Sequence, residues 1–556
     1  MKMITKKALT ILLALALTLT LLAGCGGSGG GGDNATTAGD GEAADTAKAG
    51  DDSGINAEGY PIVNDKITFK MMGAKHPIHG EWKDMVFFKE MEKLTNIAFD
   101  FDTPTLEAFE EKKNLALNGG TYADVLFGAL LTRDQQVKYG TQGILIPLEE
   151  YVDQYCPNLS KLFNDYPEVK QSVTAPDGHI YALPQYTVAP IAMTPSGWVN
   201  AKWLKAMGKT SADLPKNTDE LYTFLTEMKN SDANGNNKAD EIPLSFGDDQ
   251  NKGDSIYTNL MPSFGIPSRD FYVDDNGKIQ HGMQHKNVKE FFQYVNKLWK
   301  EKLIDNDAFS QGQTDMTAKG ANNLIGVAFH AIPTVIWGAM TNEEAAEYPV
   351  LSALSSPVSS KPMIQQSNSG IQHGTFAITD KCDNVPAVMR WVDYLYSEEG
   401  SLLIHYGPEG LAYKVNADGV YEQILPTDGR SYEERRGGDI TPDCGIPCPK
   451  FVRAKTEGNW SDPLQQTRVK QVDEKIWPYA CLPLPDLFLT AEEQEKIDIL
   501  TTDLSKYVRE AGAKLITGEM SIDKYDEVLA GLEKMKISDA IAIYQTAYDR
   551  WAKSGK

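Results

Sequence analysis

The sequence predicts an α/β fold built as two lobes, and three observations predict it. Alternating apolar strands and amphipathic helices follow one another from residue 67 to residue 128. About 500 residues lie beyond a polar N-terminal stretch, enough for two sizeable lobes. Further along, strand-helix units alternate with helical blocks, so contiguous domains are not expected and the lobes exchange segments.

Ile67-Thr-Phe-Lys-Met-Met72 alternates as a strand does. A helix follows, with Trp82, Met85, Phe88 and Met91 among its apolar positions. Ile97 to Phe101 alternates again, a helical stretch runs through Phe109 and Leu115, and Asp124-Val-Leu-Phe-Gly128 reads as a short buried strand. This βαβαβ rhythm implies a parallel sheet, whose ligands sit at loops beyond the strand carboxyl ends. Those loops are Gly73 to Gly80 and Gly128 to Thr132. Asn217 and Glu220 have capping-box spacing, and Leu221, Phe224, Leu225 and Met228 form one apolar helix face. Phe291, Phe292, Val295, Leu298 and Trp299 form another such face, and Leu324 to Phe329 reads as a buried strand. A helix from Pro386 to Tyr396 starts after a possible Asp383 cap. From Thr490 to Trp551 two helices are expected, broken around Gly518, with Ser521 capping the second.

Ahead of this region, Lys2, Lys6 and Lys7 precede an apolar run that ends in Leu22-Ala23-Gly24-Cys25. The run is short for a membrane span and long enough for a signal peptide. It resembles the bacterial lipobox, which implies cleavage after residue 24 and a diacylated Cys25. Residues 25–59 are rich in Gly, Ala and Asp, the composition of a disordered tether. Within it, Gly26-Gly-Ser28-Gly-Gly30 matches a nucleophile-elbow pattern but lacks its strand and helix.

The net charge of −23 and the lack of a basic stripe exclude nucleic acid as an expected partner. Besides Cys25 the chain has Cys156, Cys382, Cys444, Cys448 and Cys481, an odd number with no repeated spacing. Cys444 and Cys448 are left open between a bridge and free thiols. His281 and His285 have H-x₃-H spacing without an acidic third ligand, so zinc is not expected there.

Asp232-Ala-Asn-Gly-Asn-Asn-Lys-Ala-Asp-Glu-Ile-Pro243 carries oxygen side chains at positions 1, 3 and 5 of an EF-hand-like loop, Asp232, Asn234 and Asn236. Lys238 offers its carbonyl at position 7. Asn237 stands where the EF-hand has Gly, and Pro243 where it has a bidentate Glu; Asp240 and Glu241 are placed to close the shell instead. Spacing alone leaves a hard-cation site and a metal-free polar loop both open. At the end of a helix, such a site would act as a structural staple.

Several phrases then occur in a telling order: Glu92-Lys-Leu-Thr-Asn-Ile97, Gly119-Gly-Thr-Tyr-Ala-Asp124, Leu148-Glu-Glu-Tyr151, Pro157-Asn158 and Asp177-Gly-His-Ile-Tyr-Ala-Leu-Pro184. Gly197-Trp-Val-Asn200, Lys202-Trp-Leu204, the loop at 232–243 and Tyr406-Gly-Pro-Glu-Gly410 with Tyr413 follow. Together they resemble the large extracellular solute-binding lipoproteins of sugar ABC importers, in particular the LipO/LplA-like group and the related alginate-binding proteins. The resemblance covers residues 60–556. It implies a two-lobed periplasmic-binding-protein-like fold of the second type, with 60–180 mainly in one lobe, 181–320 mainly in the other, and a helical C-terminal part. It also implies Ca²⁺ held by Asp232, Asn234, Asn236, the Lys238 carbonyl, Asp240 and Glu241.

The function so implied is capture of a saccharide, in particular an oligosaccharide, and delivery to membrane permease subunits. The receptor is expected to be a monomer, not an enzyme, anchored at the extracellular face of the membrane through Cys25. Sugar sites combine aromatic faces with polar side chains. The candidates are Lys75, His76 and His79 after the first strand, Gln185 and Tyr186, Trp198 and Asn200, His330 and Trp337, and Glu409 and Tyr413. Each also has an ordinary structural reading, since a Trp in a chain this size more often fills core. The rival functions are a binding protein for peptide or another solute, and a surface polysaccharide enzyme. The latter needs a pair of carboxylates across a cleft, and no local motif singles one out.

Overall fold

The computed structural model describes residues 54–56, 58–247, 254–330 and 332–554. The segments expected to be a signal peptide and a tether, with Cys25, lie up to residue 53 outside the described residues. Tertiary contacts begin before residue 60. Ile55 bridges Val63, and the Arg390 guanidinium donates to the Asn56 carbonyl and, at 2.8 Å, to that of Gly59.

Six strands form the main sheet, in the order Lys450–Val452, Leu183–Thr187, Ile371–Ile378, Val125–Phe127, Ile67–Met72 and Ile97–Asp102. Ile67–Met72 pairs in parallel with Ile97–Asp102 and with Val125–Phe127, as the βαβαβ pattern requires. Ile371–Ile378 runs antiparallel to both of its neighbours. Its inner face is aromatic: Trp82, Phe87, Phe127 and Trp391 are at most 1 % exposed. The second lobe is built on Gly197–Val199, Ile325–Phe329 and Ile242–Ser245. Its own core joins Trp203, Leu225, Phe246, Phe291 and Leu515.

Among the described residues, the chain leaves the main sheet for the second lobe after Thr187, returns to it before Ile371, and leaves it again after Val452. Lobe exchange is therefore as the sequence predicts. The first crossing falls after the strand Leu183–Thr187, which belongs to the main sheet, so residues 181–187 lie in the first lobe. Two crossings are pinned together: Ser367 N–H donates to the Met193 carbonyl at 2.8 Å, and Thr187 N–H to that of Gly370 at 2.9 Å. Gly370 has φ +82°, and a Cβ there would lie 2.4 Å from the Thr187 oxygen. Only Gly permits that approach.

Local signals hold with three shifts. Asn217 does cap Thr218–Asn230, accepting from Glu220 N–H at 2.9 Å, but the Glu220 carboxylate reaches back to Lys216 N–H at 2.8 Å. The cap of Val385–Tyr394 is Asn384, not Asp383. The C-terminal part is three α-helices, Ala491–Thr517, Tyr525–Lys534 and Ile537–Ser554. Lys536 at φ +59° breaks the last two apart, where no Gly or Pro announces a stop. The long helix packs on Val288–Lys300, whose Asn296 amide donates to the Leu515 and Ile516 carbonyls.

Candidate functional site

The two pinned crossings and the carboxyl ends of the second lobe's strands enclose a cavity of about 410 Å³. Thr194, Ser196, Ser255, Asn259, Gln313 and His330 line it with hydroxyl, amide and imidazole groups. Ile191 and Phe329 supply its apolar surface. Each wall is positioned by backbone. His330 N–H donates to the Ser196 carbonyl at 3.1 Å, and the Trp198 indole donates to the His330 carbonyl at 3.0 Å. Below the floor, Lys319 Nζ donates to Asp305, Asp307 and Gln311 at 2.8–2.9 Å. Gln311 in turn donates to Ser245 Oγ and to the Phe246 carbonyl. That network sets Gly247 and Gln313 on either side of it. A site of this kind, concave and with a few fixed polar groups, is where a small ligand binds.

Of the predicted ligand residues, the structure brings only His330 to this cavity. Trp198 is fully buried, Trp337 is 6 % exposed and stacks near Tyr348, and both donate their indole N–H to carbonyls of their own lobe. The expectation that they face a sugar is corrected: both fill core under the second sheet. Asn200 is fully buried as the cap of Ala201–Ala206, accepting from Lys202 and Trp203 N–H and donating to Asn323 and the Ile325 carbonyl. Tyr186 is also core, its ring parallel to that of Phe451 at 5.8 Å. Gln185 accepts from Lys450 Nζ at 2.8 Å, inside the main sheet.

His79 is buried, with Nε2 2.7 Å from the Cys444 carbonyl, and burial pushes its imidazole down to about 4. It ties the first-lobe loop to 443–446. His76 packs beside Gly445, and Lys75 pairs with Glu81 at 2.5 Å. Glu409 and Tyr413 line a separate first-lobe cavity of about 510 Å³, with Tyr421 and Lys455. They do not join His330. Thr194, Ser196, Ser255, Asn259 and Gln313 were missed because isolated polar residues, whether in a turn or on a helix, carry no distinctive pattern. A positional signal exists only for Ser196, which directly precedes the strand Gly197–Val199.

The loop at 232–243 is compact. Asp232 Oδ1 accepts from Asn237 N–H at 3.0 Å, Asn234 Oδ1 from Asn236 N–H at 3.1 Å, and Asn236 Oδ1 from Lys238 N–H at 2.8 Å. Asn237 takes the left-handed conformation, φ +60°, that an EF-hand gives to Gly. The amides of Asn234 and Asn236 converge on Asp240 and hold its carboxyl below its usual range. Glu241 Oε1 is buried and has no hydrogen-bond partner. A buried carboxylate oxygen without a partner, on a loop that also carries three Asx oxygens, has the donor chemistry of a hard-cation site. Elsewhere, His281 is buried, and its imidazole is pushed down to about 4 by that burial. Among the described residues no cluster of His, Cys, Asp and Glu forms a metal site. Cys444 and Cys448 are both free thiols.

Known proteins share this architecture. Residues 73–401 match the family model described as bacterial extracellular solute-binding protein. The fructooligosaccharide ABC transporter substrate-binding protein FusA of Streptococcus pneumoniae serotype 4 is 28 % identical over 515 residues, 88 % of this chain and 92 % of that protein. The polygalacturonan/rhamnogalacturonan-binding protein YtcQ of Bacillus subtilis is 21 % identical over 509 residues, 89 % and 93 % of the two chains. A solved structure of an EF-hand mutant of S. pneumoniae FusA with fructo-nystose superposes with TM-score 0.68 at 26 % identity, covering 88 % of this chain and all of that one. Two lobes exchanging segments, a cavity between the crossings and a matched region spanning most of both lobes lead to one assignment: the chain belongs to the bacterial extracellular solute-binding proteins.

Proposed function

We propose that this protein is the receptor of an ABC importer that captures an oligosaccharide between its lobes and delivers it to the membrane permease. The observation that carries the reading is the cavity at the two pinned crossings. Its hydroxyl and amide groups act as both donors and acceptors, which matches a ligand made largely of hydroxyls. A crossing can act as a hinge, and ligand favours the closed state because only there do both lobes touch it. No catalytic carboxylate pair is needed for this role. Calorimetry with a panel of oligosaccharides tests the reading. Saturable binding without release of reducing ends supports it. Binding of peptides alone, or turnover of any saccharide, overturns it.

The proposed anchor is the lipid on Cys25, and the proposed metal is Ca²⁺ held by Asp232, Asn234, Asn236, the Lys238 carbonyl, Asp240 and Glu241. The ion would supply charge neutralisation at the end of Thr218–Asn230 and nothing to binding chemistry in the cavity. At a concentration a hundredfold above its Kd, such an ion stabilises a fold by about 2.7 kcal/mol. Chelation is therefore expected to lower the Tm by about 2–3 °C in a cooperative unit of this size. Asp232→Ala is expected to remove that calcium-dependent shift. A Tm indifferent to chelator would refute the site.

A further inference from the structure

We infer that the cavity selects an uncharged saccharide unit and rejects uronates. This rests on the saccharide reading above and narrows it. Among the described residues, no Lys, Arg, Asp or Glu lines the cavity. A uronate carboxylate drawn into such a site needs a cation or several fixed donors, because an unpaired buried charge is costly. Among the described residues, three cations on segments around the cavity are already paired. Lys319, under the floor, is held by Asp305 and Asp307 at 2.8 and 2.9 Å. Arg133, which reaches the segment 486–487, lies 3.5 Å from Asp486 and donates to the Leu487 carbonyl at 2.9 Å. Asp486 also accepts from Ser369 at the second crossing. Lys75, on the first-lobe loop, pairs with Glu81 at 2.5 Å.

The groups that do line the cavity suit neutral hydroxyls. A Ser or Thr hydroxyl both donates and accepts, and the Asn259 and Gln313 amides offer one carbonyl and two N–H donors each. His330 is the one titratable side chain on the described lining. A carboxylate would lose its hydration there without gaining a Lys or Arg counter-charge.

The test is calorimetry at pH 8 on the full chain. The probes are neutral trisaccharides of fructo-, malto- and galacto-type against trigalacturonate, at low and high salt. A neutral member is expected to bind with a Kd that salt changes by less than about twofold, because no ion pair is screened. Trigalacturonate is expected to bind about a hundredfold more weakly or not at all, the order of an uncompensated charge. Asn259→Ala and the exposed Gln313→Ala are each expected to weaken the neutral ligand about tenfold, the loss of a ligand hydrogen bond, with unchanged melting. Tighter binding of trigalacturonate, weakened by salt, overturns the inference and leaves the saccharide reading intact. Unchanged affinity in both variants overturns it too, because the ligand then sits elsewhere. Binding of neither class by folded protein overturns the saccharide reading itself.

Discussion

Lys450→Met is expected to cost the fold about 3–5 kcal/mol at pH 7, the penalty for stranding one member of a buried ion pair. Lys450 and Asp443 have side chains only 2 % exposed, and they are hydrogen-bonded to each other. Lys450 Nζ also donates to Gln185 Oε1, and Asp443 Oδ2 lies 2.5 Å from His405 Nδ1. Met replaces most of the aliphatic stem of Lys, so most packing is kept while the charge and its hydrogen bonds are lost. Burial by itself would raise the Asp443 carboxyl; Lys450 and His405 outweigh it and hold the group below its usual range. In the wild type, Asp443 therefore contributes stability that is present above the unfolded carboxyl range, near 4, and is lost only as pH falls below it. In the variant, burial is no longer opposed by Lys450, the folded group takes up a proton more readily, and stability recovers on acidification. The deficit read by urea unfolding should thus shrink from pH 7 to pH 5. Lys450→Met with Asp443→Asn should restore part of it at pH 7. A deficit that is small and flat with pH would show that the pair is well solvated, contrary to its burial.

This pair also marks where sequence reading stops. The first sheet was legible because a period of two in Ile67–Met72 and a period near four in Val86–Thr95 are local consequences of which face is buried. Asn217 and Thr490 could be read as helix starts because a cap bonds an amide three residues away. The 232–243 loop was legible for the same reason, since its oxygens meet within one turn. Lys450 meeting Gln185, or Arg133 meeting Asp486, depends on chain crossings more than two hundred residues apart, and no local pattern encodes it. The cavity is of this second kind. Thr194, Asn259, Gln313 and His330 come from four separate segments, and each is an ordinary polar residue until the crossings bring them together. Aromatic residues misled for a physical reason: stacking on a sugar and filling a core both call for Trp, and only burial separates the two.

Trp198→Ala separates them by experiment, and is expected to destabilise the protein by about 3–5 kcal/mol, as removal of a fully buried indole does. Trp198 is paired in register with Ala328 and bridged to Val350, and its core includes Met316, Ile336 and Trp337. Its indole N–H also satisfies the His330 carbonyl at the cavity edge. Trp198→Phe keeps most of the packed volume and removes that hydrogen bond, so it should cost less, of the order of 1 kcal/mol beyond the lost packing. Its larger effect should be on ligand affinity, because the indole's bond to the His330 carbonyl at the cavity edge is lost. Denaturant unfolding and calorimetry on the same two variants read both quantities. A stacking platform would give the reverse pattern: Trp198→Ala would abolish binding and leave unfolding unchanged, and Trp198→Phe would bind well. The expected order, stability lost in the Ala variant and affinity lost in the Phe variant, follows from an indole that is core on its face and a strut at its edge.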